Sequence, residues 1–319
     1  MAKILITGVA GFIGSHTAEL FLQNGFEVTG IDNFDEFYPR IKKEKNLSEL
    51  LKHPSFTFVE MDFEKADLPG TFPEPFDGII HLGARAGVLP SIKNTEGYIS
   101  CNITGTFKIL DFMVKTGVQK LVFASSSSVY GNSQIPFLES SDVSKPISPY
   151  AFSKKAGELL TYNYHHLYNI DVLNLRFFTV IGERQRPDLA IHKFVKSILN
   201  NEPITLYGKG DTSRDYTYVK DIVQGIWLAF EYLRKNEGVY DIVNLGNNKP
   251  VTLLEMVETI QRVLGVQPEI LFTDPKPGDV ERTYASIEKA KSLIGYEPKT
   301  SFEDGVRHFV NWYQAQTEN

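Results

Sequence analysis

The sequence predicts an α/β fold in which a doubly wound parallel sheet is followed by a smaller C-terminal domain. Three observations support this prediction. Short apolar runs alternate with segments of helix length through the first half of the chain, as in successive strand–helix–strand units. Beyond Arg176 the alternation gives way to loops rich in Gly, Pro, Arg and Asp. The 319 residues, 42% of them hydrophobic, suit about two domains at ~150 residues each.

The predicted strands follow one another along the chain. They are KILIT at 3–7, FEVTGI at 26–31, FTFVE at 56–60, DGIIHL at 77–82, KLVFAS at 120–125 and DVLNLRF at 171–177. A later run, YDIVNLG at 240–246, has the pattern of one more strand, so the chain is expected to return to the sheet over about 215–247. We therefore place the first domain at 1–180, completed by that return segment, and the second at 181–319.

Charge and cysteine content exclude several classes of protein. The formal net charge is −6, and no run of Lys and Arg is long enough to follow a phosphate backbone, which argues against a nucleic-acid partner. Cys101 is the single cysteine and cannot form an intrachain disulfide, which suits a reducing compartment. The N-terminus has no signal-peptide pattern, and no apolar stretch approaches 18 residues. We expect a cytoplasmic soluble protein with no membrane contact and no metal site.

A glycine pattern follows the first predicted strand. In TGVAGFIG, Gly8, Gly11 and Gly14 precede a helix, where glycines permit a tight turn and a pyrophosphate can accept the free N–H groups of the helix. An ordinary strand-to-helix turn is the alternative. Asp32 ends the second strand at the position of a carboxylate that binds an adenosine ribose, which favours NAD over NADP. Asp62 ends the third strand and is either an adenine contact or a solvated residue. The first domain is thus predicted to be an NAD-binding Rossmann domain.

A second pattern predicts acid–base chemistry. Tyr150 and Lys154 are four residues apart at the start of a predicted helix that Ser148 can cap, so they share a face. An ammonium near a phenol lowers the pKa of the phenol, which is otherwise ~10, and allows it to act as a base. Two other Tyr–Lys pairs have this spacing, but only Tyr150 follows a hydroxyl cluster that ends a strand. Ser126 in that cluster is placed to hold a substrate hydroxyl.

These residues resemble a family, the extended short-chain dehydrogenases/reductases, and within it the nucleotide-sugar epimerases. The resemblance spans the chain through TGVAGFIGSH, GIDNF, HLGARAGV, FASSSSVYG, SPYAFSK, RFFTVIGERQRPD, SRDYTYVKD and KPGDV. It implies that Ser126, Tyr150 and Lys154 are catalytic and that Asn102 is an accessory residue. It also implies that the second domain binds the nucleotide-sugar, that Arg214 holds the diphosphate of a UDP-sugar and that Asp279 binds the uridine ribose.

The expected ligand contacts form two sets. The residues expected to bind NAD are Gly8, Gly11, Phe12, Ile13, Gly14, Asp32, Asn33, Asp62, Phe63, Leu82, Tyr150 and Lys154. The residues expected to bind the substrate are Val88, Ser126, Ser127, Ser128, Thr179, Arg186, Arg214 and Asp279.

The residues before V-Y-G in the serine loop bear on the reaction. Relatives that dehydrate the sugar carry an Asp-Glu pair where this chain has Ser127 and Ser128, and neutral alcohols are poor proton donors and acceptors. The resemblance therefore implies C4 epimerisation through a transient 4-keto sugar. RFFTVIGERQRPD is most similar to UDP-glucuronate 4-epimerases, although Leu89 and Ile181 depart from the Arg and Tyr common there. Alternatives are a UDP-glucose or UDP-N-acetylhexosamine 4-epimerase, a net oxidoreductase and an inactive NAD-binding scaffold.

The resemblance also implies a homodimer that pairs through two long helices, near 97–116 and 150–168. Their apolar residues extend beyond one face and need cover, from a partner or from the subunit's own core. These residues include Ile99, Phe107, Leu110, Leu159, Tyr162 and Leu167.

Overall fold

A computed structural model describes residues 1–274 and 281–317. The strands in chain order are β1 (Lys3–Thr7), β2 (Glu27–Asp32), β3 (Phe56–Glu60), β4 (Gly78–His81), β5 (Lys120–Ser126), β6 (Asp171–Phe177), β7 (Thr179–Ile181), β8 (Ile204–Tyr207), β9 (Ser213–Tyr218), β10 (Tyr240–Leu245), β11 (Pro250–Thr252) and β12 (Ile270–Thr273). Seven of them form one sheet in the order β10-β6-β5-β4-β1-β2-β3. Every pairing in this sheet is parallel, which confirms the predicted fold class.

The helices connect and cover these strands. In chain order they are α1 (Phe12–Gln23), α2 (Arg40–Leu47), α3 (Leu68–Thr71), α4 (Val88–Lys93), α5 (Thr95–Tyr98), α6 (Gly105–Thr116), α7 (Pro149–Tyr168), α8 (Ala190–Leu199), α9 (Val219–Lys235), α10 (Leu253–Leu264), α11 (Glu288–Ile294) and α12 (Phe302–Thr317). Short 3₁₀ turns occupy Leu50–Lys52 and Ser127–Tyr130, and a π-helical turn, Ile99–Thr104, joins α5 to α6. No helix of the described ranges is long and apolar enough to cross a membrane.

The central sheet is buried on both faces, which explains why its strands are nearly continuous apolar runs. Alternate residues of a strand point to opposite faces, and along β1 Ile4 and Ile6 join one core cluster while Leu5 joins another. The first cluster includes Phe21 of α1 and Phe230 of α9, and the second includes residues of α6 and α7. One pair of long helices therefore covers each face.

Strand order places the ligand site. The chain runs outward from β1 through β2 to β3 and then crosses back to β4 on the other side of β1. In a doubly wound sheet the crevice at this reversal, beyond the carboxyl ends of the strands, is where ligands bind. The loops that follow β1, β2, β4 and β5 all open at this edge. The fold thus brings the glycine turn, Asp32 and the serine cluster to one end of the sheet.

The C-terminal part has smaller sheets and its own core. Strands β7, β9 and β11 form one sheet, β8 and β12 form another, and a third apolar cluster includes residues of α8, α10 and α12. The expected return segment divides between the two parts: β9 pairs with β7 and β11, whereas α9 packs on the central sheet and β10 extends it. The boundaries 1–180 and 181–319 stay a prediction.

The apolar residues named on the two long helical segments fall into two groups. Phe107 is 40% exposed, Leu159 59%, Tyr162 53% and Leu167 57%. Ile99, in the π-helical turn, is 42% exposed. Leu110 is covered by the subunit's own core, which is one of the two kinds of cover expected from the sequence.

Candidate active site

A cavity of about 450 Å³ lies at the carboxyl end of the central sheet. It brings together most of the residues that the sequence singled out. Those that line it are Gly8, Gly11, Phe12, Ile13, Gly14, Asp32, Asn33, Phe63, Leu82, Val88, Ser126, Ser127, Ser128, Tyr150, Lys154, Thr179 and Arg186. Residues expected to bind NAD and residues expected to bind the sugar therefore share one continuous space.

The glycine turn packs too tightly for side chains. Gly8 has a φ of +70°, and a Cβ added there would lie 2.8 Å from the Cα of Gly83. A Cβ at Gly14 would lie 2.1 Å from the carbonyl oxygen of Gly8. Gly11 precedes α1 without a side-chain cap, and the first turn of α1 carries no acidic residue. The N–H groups at this helix start therefore remain available to an anionic group, which fits a pyrophosphate.

The side chain of Asp32, at the end of β2, is fixed by hydrogen bonds from the backbone. Its carboxylate accepts the N–H of Ala10 at 3.1 Å and that of Phe34 at 2.8 Å. Burial raises the pKa of this carboxyl, while the Lys43 ammonium, 3.9 Å away, and the two N–H donors oppose the rise. Each carboxylate oxygen has a second acceptor position, so the group can still take a hydroxyl of a ribose. The glycine turn and Asp32 together fit a dinucleotide such as NAD.

Tyr150 and Lys154 lie in the first turns of α7, where Ser148 caps the helix as predicted. The Lys154 ammonium donates to the carbonyl oxygen of Ala124 at 2.7 Å and lies 5.4 Å from the centre of the Phe123 ring. Complete burial lowers the pKa of Lys154 to about 8. A lysine whose pKa is shifted toward neutrality, and whose side chain lines a cavity, is typical of functional sites.

The surroundings of Tyr150 differ from the prediction in one respect. Burial raises the pKa of its phenol, and the two opposing effects come from the Ser126 hydroxyl, through a hydrogen bond, and from the positive charge of Arg186. The sequence predicted that Lys154 would lower this pKa. In the structure the Lys154 ammonium donates to the backbone of β5, and the positive charge that opposes the rise in the pKa is that of Arg186.

Arg186 is itself fixed by two neighbours that the sequence did not reveal. Its guanidinium donates two hydrogen bonds to Asp188, at 3.0 and 2.9 Å, and lies 5.1 Å from the centre of the Phe37 ring. Arg186 thus lines the cavity with its charge partly balanced by a carboxylate.

The serine cluster also lines the cavity. Ser126 caps the 3₁₀ turn Ser127–Tyr130, and its hydroxyl accepts the N–H of Ser128 at 3.1 Å.

Asn102 lies outside the lining but supports it. It belongs to the π-helical turn, and its side chain bonds both the N–H and the carbonyl of Arg85, at 2.8 and 2.9 Å. It also donates to the Ser153 hydroxyl at 2.9 Å. Arg85 pairs with Asp35 at 2.7 Å, and both residues line the cavity. Arg85 lies within the HLGARAGV block, but the sequence assigned no role to Arg85 or Asp35, because charged loop residues have no periodicity to detect.

Among the described residues, two predicted site residues, Asp62 and Arg214, do not line the cavity. Asp62 accepts the N–H of Glu64 at 3.1 Å and pairs with Lys65 at 3.1 Å, as a strand-end residue does. Arg214 donates to the carbonyl oxygens of Ser213 and Glu281. Asp279 lies outside the described residues. Within 1–274 and 281–317, no cluster of His, Cys, Asp and Glu is arranged to hold a metal ion.

Comparison with known proteins identifies the family. The sequence profile described as GDP-mannose 4,6 dehydratase matches residues 5–309. The chain belongs to this family. A UDP-glucuronate 4-epimerase of Thermodesulfobacterium geofontis is 40% identical over 321 residues, which cover 100% of this chain and 98% of the relative.

Two solved structures of the family superpose on nearly the whole chain. A UDP-glucuronic acid 4-epimerase from Bacillus cereus, in complex with UDP-glucuronic acid and NAD, has a TM-score of 0.94 at 34% identity, covering 98% of this chain and 99% of that one. A UDP-N-acetylglucosamine 4-epimerase from Methanobrevibacter ruminantium M1, in complex with UDP-N-acetylmuramic acid, has a TM-score of 0.90 at 31% identity, covering 99% of each chain. These similarities confirm the family resemblance.

Proposed function

We propose that the protein is an NAD-dependent 4-epimerase that interconverts UDP-glucuronate and UDP-galacturonate. The observation that carries the proposal is the set of side chains in the cavity lining that the sequence assigns to the substrate. Ser127, Ser128 and Thr179 contribute neutral hydroxyl groups to this lining, and Arg186 contributes one cation. Such a set can bind a sugar carboxylate, and it contains no acid–base pair that could dehydrate the sugar.

The glycine turn and Asp32 would hold NAD, together with Asn33, Phe63 and Leu82 of the cavity lining. When bound, NAD accepts a hydride from C4 of the sugar and returns it to the opposite face. The protein supplies the proton transfer. Tyr150 takes the proton of the C4 hydroxyl, with the Ser126 hydroxyl and the Arg186 charge favouring the phenolate against the burial that disfavours it.

Lys154 has a separate function in this scheme. Its ammonium is fixed on the Ala124 carbonyl, 30 residues from Lys154 along the chain, so it ties α7 to the end of β5. This contact holds Tyr150 on α7 at a fixed distance from Ser126 on β5. Tyr150 and Ser126 must both contact the substrate hydroxyl from separate elements, and proton transfer requires heavy atoms within about 2.6–3.2 Å. A contact that fixes α7 relative to β5 therefore maintains the reactive geometry.

The carboxylate of the sugar poses a chemical problem. A 4-keto sugar with a carboxylate on C5 is a β-keto acid, which tends to lose CO₂. We propose that the hydroxyls of Ser127, Ser128 and Thr179 fix the carboxylate away from the alignment in which its C–C bond breaks easily. Arg186 adds a positive charge to this set, although its two hydrogen bonds to Asp188 weaken its electrostatic attraction for the sugar carboxylate.

The Arg186–Asp188 pair also favours a second candidate function. A cation that is partly balanced by a neighbouring carboxylate also suits a neutral sugar, and an epimerase of UDP-N-acetylglucosamine is among the solved structures that superpose on this chain. A UDP-glucose or UDP-N-acetylhexosamine 4-epimerase is therefore the alternative. For either substrate we propose that Arg214 binds the diphosphate and Asp279 the uridine ribose.

A panel of UDP-sugars tests the proposal directly. Each sugar is incubated with the protein and its C4 configuration is followed by NMR. We expect UDP-glucuronate to be epimerised most efficiently, and Thr179→Ala and Arg186→Ala to impair its turnover far more than they impair UDP binding, with some release of UDP-pentose. If UDP-glucose or UDP-N-acetylglucosamine is epimerised at least as efficiently as UDP-glucuronate, the alternative replaces the proposal.

The base and the cofactor are tested with the same assay. Tyr150→Phe should reduce turnover at least ~10²-fold, the lower range for loss of a general base, and Lys154→Ala should be similarly impaired. NAD should stay with the purified protein or be needed only in catalytic amounts, because each turnover returns the hydride. Near-normal activity of Tyr150→Phe contradicts the assignment of the base, and stoichiometric release of free NADH contradicts the epimerase cycle.

We further propose a cytoplasmic homodimer. The support for the dimer is the apolar surface of α6 and α7, where Phe107, Leu159, Tyr162 and Leu167 are each at least 40% exposed. Exposed apolar residues grouped on adjacent helices are typical of an interface. Sedimentation at micromolar concentration measures the assembly, and a monomer there argues against the dimer. Leu159→Glu should convert the dimer to monomers. Leu51 is also an exposed leucine but lies outside α6 and α7, so Leu51→Glu should leave the dimer intact.

A further inference from the structure

Tyr98 lies beside the cavity but has no part in the scheme above. It is the last residue of α5 and is only 2% exposed, so it is a large buried side chain rather than a surface one. Its hydroxyl donates a hydrogen bond to the carbonyl oxygen of Ala86 at 2.8 Å. Its ring meets that of Tyr150 edge to face, with centroids 6.1 Å apart and planes at 80°. One residue thus contacts both the phenol and a loop of the cavity.

That loop forms one wall of the cavity. Arg85, Ala86 and Gly87 line it directly before α4, and Val88, the first residue of that helix, continues the lining. Gly87 has a φ of +108°, a conformation that L side chains rarely adopt, so this backbone is held in an unusual shape. A loop of this kind needs side chains from elsewhere to keep one conformation.

Two side chains of one helical segment provide this support. Asn102 binds both backbone groups of Arg85, and Tyr98 binds the carbonyl of Ala86, so consecutive wall residues are fixed by positions four apart. Asn102 reaches α7 through the Ser153 hydroxyl, and Tyr98 reaches it through the ring of Tyr150. The segment around the π-helical turn therefore couples the wall to the helix that carries the phenol. Such turns often occur at functional sites.

We propose that Tyr98 is a positioning residue with two separable functions. The edge of its ring fixes the plane of the Tyr150 phenol, and its hydroxyl fixes the wall against which the substrate packs. The proposal rests on the proposed function for the identity of the base. A small misplacement of a reacting group is sufficient to matter, since about 1 Å can cost ~10²-fold in rate.

Two substitutions separate the functions. Tyr98→Phe keeps the ring and removes the hydroxyl, so the wall loosens while the phenol stays in place. We expect KM for the UDP-sugar that the protein turns over fastest to rise about 2- to 12-fold, as for loss of one neutral hydrogen bond, with kcat within about twofold. Tyr98→Leu removes the ring edge as well. Its kcat should fall at least ~10-fold further, because the phenol is no longer held in one plane.

A matched control is available in Tyr296. It is 1% exposed and its hydroxyl donates to the carbonyl oxygen of Gly246 at 3.0 Å, the same kind of buried bond, away from the cavity lining. Tyr296→Phe should leave kcat and KM within about twofold of the unmodified protein while losing stability comparable to Tyr98→Phe, as for one neutral hydrogen bond. Rates are expressed per folded, NAD-containing subunit, so that a loss of folded protein does not register as a loss of kcat.

The outcomes are distinct. If both Tyr98 variants keep kcat and KM within twofold per folded subunit, or if Tyr98→Phe loses as much kcat as Tyr98→Leu, the proposal is overturned. A rise in KM for Tyr98→Phe with a fall in kcat confined to Tyr98→Leu supports it. If instead Tyr150→Phe is fully active, the base assignment fails and the ring function fails with it. The wall function is then still tested by the KM of Tyr98→Phe.

Discussion

Breaking the buried ion pair behind the site should strongly destabilise the fold. Arg176 of β6 and Glu158 of α7 form two hydrogen bonds, at 2.8 and 2.9 Å, with side chains 1% and 0% exposed. In Glu158→Gln the guanidinium stays charged in a site that has lost its counter-charge. Removing one partner of a buried pair costs about 3–5 kcal/mol. Because glutamine still offers one acceptor oxygen, we expect about 3 kcal/mol, or roughly a hundredfold in the unfolding equilibrium.

Equilibrium unfolding in urea measures this loss, with circular dichroism and fluorescence compared to check that the transition is single. Glu303→Gln provides a control, since its partners Arg307 and Arg262, at 2.9 and 3.2 Å, are 52% and 58% exposed and such surface pairs contribute about 0–1 kcal/mol each. Replacing both Glu158 and Arg176 with methionine should recover part of the stability, because the buried guanidinium is removed with its counter-charge, while Lys155 and the Ser125 hydroxyl still lose their bonds to Glu158. A loss below about 1 kcal/mol in Glu158→Gln refutes the reasoning, since the buried guanidinium would then have found another partner or reached solvent.

Three further predictions concern a cap, a histidine and the cofactor. Thr252→Ala removes the capping box at the start of α10 and should cost about 1 kcal/mol in urea unfolding, with Thr252→Ser close to the unmodified protein; equal losses in both would contradict this. Burial lowers the pKa of His81 to about 3. The contribution of this histidine to the free energy of unfolding is therefore complete above its unfolded-state pKa, near 6.5, and is lost as the pH falls. The free energy of unfolding should be about 2 kcal/mol lower at pH 5 than at pH 8, and this difference should be absent in His81→Asn. Asp32→Ala should weaken NAD binding and reduce discrimination against NADP in a binding titration; a preference of the unmodified protein for NADP would show that Asp32 has another role.

The sheet was the most predictable part of the molecule. The apolar run at 171–177 coincides with β6, and the run at 56–60 coincides with β3, because parallel strands covered on both faces must be apolar throughout. The long helical segment near 97–116, which includes α6, was also predictable, but the π-helical turn within it was not. The six residues Ile99–Thr104 are too few for a change of helical period to be detected in the sequence.

The site was predictable where a motif carried it and not where partners meet across loops. Gly8, Asp32 and Tyr150 belong to patterns with a fixed spacing, and all three line the cavity. The pairing of Arg186 with Asp188 depends on how one loop folds, and no spacing rule describes it. For Tyr150, the spacing pointed to the ammonium of Lys154 on the same helix, and no spacing could point to Arg186, whose positive charge opposes the rise that burial causes in the pKa of the phenol.

The position of β10 at the edge of the central sheet has a consequence for synthesis and truncation. This strand pairs with β6 but lies beyond residue 239. Helix α9, which precedes it, packs through Phe230 on Phe21 of α1 and on Phe26, the residue before β2. A nascent chain that has reached residue 180 has therefore neither closed the edge of β6 nor covered this aromatic face. Exposed edges and apolar faces of this kind promote aggregation. A fragment ending near residue 180 should not behave as an independent domain, and productive folding on the ribosome must await most of the C-terminal half.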